Sequence, residues 1–176
     1  MKKRRTHKPQ RQYQYTILDE MTASPTQPVT DKNREYQLGR IRQALKNIES
    51  GAAPVPNDWR VCSDAINLMD TLIRHNNGTW MDCDGDPVEI KDASGLLDDA
   101  IAGMAMAGKR STEGKPIRLD GPGIRAVRAV IDDYEGMVEV LPARTIIKAF
   151  RITERRIMDL MSGKKRLPHD VEVMCI

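Results

Sequence analysis

Along most of the chain, apolar residues return every three or four positions, the period that lines one face of an α-helix. Leu38, Ile41, Leu45 and Ile48 keep this spacing, and Gly51 supplies a stop before "AAPVPN", predicting a helix from Asp31 to Ser50. Trp59, Cys62, Ile66, Met69 and Ile73 share a face of a second helix, Asp58 to His75, ended by "NNG". Leu97, Ala100, Ile101 and Met104 mark a third, from Ser94 to Ala107. The fourth has Asp120 and Gly121 at its cap and Pro122 in its first turn, followed by Ile124, Val127, Ile131, Tyr134 and Val138. Pro142 opens a fifth, carrying Ile146, Ile147 and Phe150, and residues 153–162 form a sixth.

Between the second and third helices the period changes. In "TWMDCDGDPVEIKD" an Asp-Gly pair is flanked by "TWM" and "VEI", which predicts a small β-hairpin at 79–90, with "KPIRL" at 115–119 as a third short strand. The expected fold class is therefore mainly all-α: a bundle of about six helices with a small hairpin. Residues 1–30 combine a basic run with Pro, Ser and Thr and hold too little apolar surface to offset ordering entropy, so they read as a disordered tail. Residues 31–141 form the helical body and 142–176 a terminal module. Met21 opens a plausible protein of its own, so residues 1–20 read equally as an upstream extension.

Composition agrees with the helical reading. Phe150 is the only phenylalanine against ten methionines, so Leu, Ile, Val, Ala and Met must build the core. No apolar run has the length of a membrane span, and three cysteines of irregular spacing fit a reducing cytoplasm. The net charge of +3 hides an asymmetry. Residues 1–12 carry six basic side chains and no acid, which leaves the remainder three units negative. Residues 82–99 hold seven acids against Lys91, whereas residues 143–166 hold eight basic residues against Glu154 and Asp159.

Catalytic and metal chemistry find little support. Counting from Asp82, the glycine and bidentate-glutamate positions of a calcium loop hold Pro87 and Ala93. His7, His75 and His169 lie far apart, without partners at zinc spacing. "RLDGPGIRAV" resembles a phosphate-binding turn but lacks its full glycine spacing, and Pro122 removes a backbone donor; it reads as a helix cap. The expectation is a protein that is not an enzyme and uses no cofactor or metal.

Residues 143–168, "ARTIIKAFRITERRIMDLMSGKKRLP", carry the clearest functional signal. They resemble the helix-turn-helix of the lambda-repressor and Cro-like family. Ile146 and Phe150 fall on the inward positions of its first helix, Ile152 in the turn, Ile157 and Leu160 inward on the second, with Thr153 as N-cap and Gly163 at the exit. The family favours a small residue where Ile147 stands and glycine where Arg151 stands. The resemblance implies a transcription regulator that binds double-stranded DNA. Glu154, Arg155, Arg156 and Asp159 would then read bases, while Arg144, Lys148, Arg151, Lys164, Lys165 and Arg166 would hold phosphates. The helical body would supply a homodimer interface, matching palindromic half-sites. In style the chain resembles small regulators of phages and mobile elements. The alternative is a non-catalytic adaptor or inhibitor that captures a host protein through Asp82, Asp84, Asp86 and Glu89 or through a helical surface.

Overall fold

Helix boundaries fall where the chemistry of single residues forces them. The computed structural model describes residues 14–51 and 56–163. In chain order these form α1 (Ile17–Thr22), α2 (Asp31–Ser50), α3 (Pro56–Arg74), β1 (Thr79–Met81), β2 (Pro87–Glu89), α4 (Leu97–Thr112), α5 (Gly121–Val140) and α6 (Ala143–Met161), with a 3-10 turn at His75–Gly78. Gly51 leaves α2 in the left-handed region at φ 63°, and the Asp120 side chain accepts the Gly123 N–H at 2.7 Å to cap α5. The "DGPG" turn is thus a helix cap. Mainly helical with one small antiparallel hairpin, the molecule has the all-α bundle fold that the apolar spacing predicts.

α3 is the central helix, packing against α2, α4, α5 and α6. Residues Ala65 to Leu72 are all buried, so α3 buries its whole circumference over two turns instead of one stripe. Trp59 inserts between α3 and α4, and its indole N–H donates to the Met104 carbonyl at 2.8 Å. The hairpin pairs Trp80 with Val88, and the Trp80 indole N–H returns to the Leu72 carbonyl at 2.7 Å. Asp82 holds the hairpin turn by accepting the N–H groups of Asp84 and Asp86, both at 2.9 Å. Residues 115–119 form no strand. Ile117 is buried in the core instead, at 3% exposure.

Two expectations change. The turn between a fifth and a sixth helix is absent: α6 runs unbroken from Ala143 to Met161, straight through Arg151 and Ile152. Arginine has good helix propensity, and without a glycine at that position nothing halts propagation. Ile146 and Ala149 of α6 belong to the same core as α3, so residues 143–161 are part of the bundle rather than a separate module. The second change concerns the tail. Residues 14–30 form a strap along α6, anchored by polar contacts that an apolar count does not register. Thr16 and Asp19 make a reciprocal capping box on α1, the Tyr15 ring meets Phe150 at 5.5 Å, and the Arg144 guanidinium donates to the carbonyls of Met21 and Ala23. Residues 1–13 of the expected tail lie outside the described residues.

Candidate nucleic-acid interface

Asp70 stands inside an apolar run, "AINLMDTLI", at a position that faces the bundle interior. Its side chain is 0% exposed, and a buried carboxylate must be paired. Arg156 of α6 donates to Asp70 Oδ2 at 2.9 Å, and Arg74 Nε, one turn along α3, lies 3.1 Å from Oδ1. Arg156 also reaches the Thr71 hydroxyl at 3.1 Å, and that hydroxyl is 2.7 Å from the Thr153 hydroxyl. A polar seam therefore joins α3 to α6. Burial raises the Asp70 pKa, against the opposing pull of Arg156 and Arg74. One buried carboxylate thereby holds two guanidinium groups, Arg156 by a hydrogen bond and Arg74 by charge alone.

Both arginines open into a cleft of about 590 Å³ between the end of α3, the following turn, the strap and α6. The α6 wall carries Lys148, Arg151, Ile152, Arg155 and Asp159 at helical spacing; the opposite wall carries Arg74, His75 and Asn76. Five basic side chains, four of them arginines, face two acids, Glu20 and Asp159. Glu20 of the strap pairs with Arg151, and Arg74 also pairs with Asp98 at the rim. Among the described residues, none forms an ion pair with Lys148 or Arg155. His75 reports this field: partial burial lowers its pKa, and Lys148 and Arg156 push it lower still. Its ring also packs against Trp80, with centroids 5.7 Å apart.

The residues expected to read bases have separate fates. Arg155 is exposed and Asp159 partly exposed, both in the cleft wall. Arg156 turns inward to Asp70. Glu154 is buried at 5% exposure, where its Oε1 accepts the backbone N–H of Gln14 at 2.7 Å. Glu154 and Arg156 cannot read base edges from these positions; in a continuous α6 they fall on the side that packs against the strap and α3. Of the expected phosphate contacts, Lys148 and Arg151 line the cleft, Arg144 binds strap carbonyls, and Lys164, Lys165 and Arg166 lie outside the described residues. Arg74, His75, Asn76, Glu20 and the fixing Asp70 were not foreseen. A lone acid in a buried helical run was the available signal.

Asp82, Asp84, Asp86 and Glu89, the alternative partner surface, sit on the hairpin. Asp84, Asp86 and Glu89 are exposed, and Glu89 pairs with Lys91 at 3.1 Å. No group of three or more His, Cys, Asp or Glu side chains converges as a metal site among the described residues. Cys62 is buried, which pushes its thiol pKa up to about 12 and keeps it protonated. Among the described residues no helix is long and apolar enough to cross a membrane. No family model, curated protein or solved structure matches the chain.

Proposed function

We propose that this is a non-catalytic nucleic-acid-binding protein that holds phosphates in the cleft between α3 and α6. The observation carrying this reading is the convergence of Arg74, Lys148, Arg151, Arg155 and Arg156 on one concavity, two of them anchored by the same buried carboxylate. Anchored guanidiniums lose little further freedom on meeting a phosphate, and Lys148 and Arg155 bring charge that no described carboxylate neutralises. DNA, the partner implied by the helix-turn-helix resemblance, remains the candidate. The contact is through a basic cleft, because a continuous α6 has no separate recognition helix to place in the major groove. A regulator of this kind works by occupancy in the cytoplasm, without cofactor.

The test is affinity for nucleic acid across a salt series, in the full chain and in Lys148→Ala/Arg155→Ala. The log–log salt slope of the parent should be steep, and the double variant should lose about 1.4 to 1.8 units of it, about 0.7 to 0.9 per phosphate contact. Equal slopes would refute the cleft as the docking surface.

A protein partner is the second reading, and one observation favours it. Ile17, Leu18 and Met21 of α1 are 63%, 65% and 68% exposed, three large apolar side chains on one short helix. Homodimerisation through this strap predicts that Ile17→Ser/Leu18→Ser/Met21→Ser lowers the mass measured by light scattering. An unchanged monomer mass, with no dimer in the parent, would remove the homodimer.

A further inference from the structure

The cleft constrains the shape of what enters it as well as its charge. We infer that its occupant is an unpaired nucleic-acid strand, DNA or RNA, rather than a duplex; the inference rests on the reading of the cleft as a phosphate-binding surface. Three features point this way.

The first is concavity. The base edges of a duplex are reached by a helix or β-ribbon that protrudes into its major groove. α6 does not protrude. Thr153, Glu154 and Ile157 are buried, and the Lys148–Asp159 stripe forms one wall of a trough whose opposite wall is Arg74, His75 and Asn76. A volume of about 590 Å³ suits one flexible segment of a strand, in the range of small-ligand pockets.

The second is length. From Lys148 to Asp159 the wall rises about 16 Å at 1.5 Å per residue. That is about half the 34 Å of one duplex turn, so a duplex would gain few phosphates from a surface recessed between two walls.

The third is a surface for bases. Single-strand sites combine a cationic groove with rings on which exposed bases stack, because every base has a π-face. His75 lines the cleft and is braced by Trp80, which is itself fixed by its bond to Leu72. Ile152 adds an apolar patch opposite. In a duplex the bases are stacked on one another and have no use for these groups.

The experiment is fluorescence anisotropy with the full 176-residue chain and equal-length labelled oligo(dT), oligo(rU) and a mixed-sequence duplex at matched salt. The basic residues near the N-terminus are present in every sample, so the reading comes from the parent set against His75→Gln and Lys148→Ala/Arg155→Ala, each checked for unchanged thermal unfolding. The structure predicts that at least one unpaired strand binds about tenfold or more tighter than the duplex. His75→Gln should then weaken the unpaired strand about tenfold and the duplex hardly at all, as removal of a stacking ring does. The DNA and RNA arms decide which strand is preferred, and a preference for either supports the inference. A duplex that binds as tightly as both single strands, with the double variant still weakening it, would overturn this inference and leave the proposed function standing. Affinities untouched by the double variant would overturn both.

Discussion

At the scale of single residues, Asp70 and Gly108 decide how the bundle closes. Removing Arg156 would leave the fully buried Asp70 with Arg74 as its partner, so Arg156→Met should cost about 3 kcal/mol, the lower end for breaking a buried pair. The pH dependence has a definite sign. Burial holds the folded-state pKa of Asp70 above its unfolded value of 3.8. A carboxyl raised in this way favours folding below pH 3.8, and the advantage is lost as pH climbs through the folded value. Without Arg156 that value moves further up, so the variant's deficit in urea unfolding should be larger at pH 8 than at pH 5. Gly108 offers a contest of magnitudes. In an ordinary helix interior, Gly→Ala would stabilise by about 1 kcal/mol. Here a Cβ would come within 2.9 Å of the Trp59 ring, which is pinned by its bond to Met104. Overpacking of about 1–3 kcal/mol should win, and Gly108→Ala should unfold at a lower temperature than the parent.

At the scale of elements, α6 is the piece on which the two readings of residues 143–161 part. In a continuous helix, Arg151→Gly should be about 1 kcal/mol less stable than Arg151→Ala, with both having lost the Glu20 pair. At a turn requiring positive φ the order would reverse, since glycine adopts that conformation freely. Chemical denaturation of the two variants measures the sign. The element scale also shows what could be read beforehand. Leu38, Ile41, Leu45 and Ile48 fall on one buried face, and α2 spans Asp31–Ser50, because apolar period and a C-terminal glycine are both local signals. "TWM" and "VEI" around Asp-Gly were equally local, and they pair as β1 and β2. α6 misled because its inward positions, Ile146, Phe150 and Ile157, fit two short helices as well as one long one. Arg151, in place of the glycine a turn favours, held the distinction. The strap escaped for another reason: its anchors are a capping box, backbone carbonyls and one ring contact, none of which raises local hydrophobicity.

At the scale of the whole molecule, the bundle acts as a mount. α3 runs through its centre, and its C-terminal end with the 3-10 turn that follows carries Asp70, Arg74 and His75 to the point where α6 passes. Lys148 and Arg151 were legible as phosphate contacts and Arg155 as a base reader, but on two separate helices rather than on one wall. The opposite wall, some seventy positions earlier in the chain, was not, because no local pattern announces which distant residues will face each other. Only the polar Asp70 in a buried run hinted that α3 had a cationic partner to find.

The central claim is that phosphates enter this cleft, and His75 can report it from inside. The measurement is a titration of the histidine ring protons by NMR, with and without a saturating oligonucleotide, the His75 signal being assigned by its loss in His75→Gln. In the free protein burial, Lys148 and Arg156 hold the His75 pKa below the usual 6.5. Bound phosphate would offset those positive charges, so the account predicts that the pKa rises on binding and that affinity increases as pH falls through the His75 titration. A His75 titration unchanged by an oligonucleotide that demonstrably binds elsewhere on the chain would contradict it.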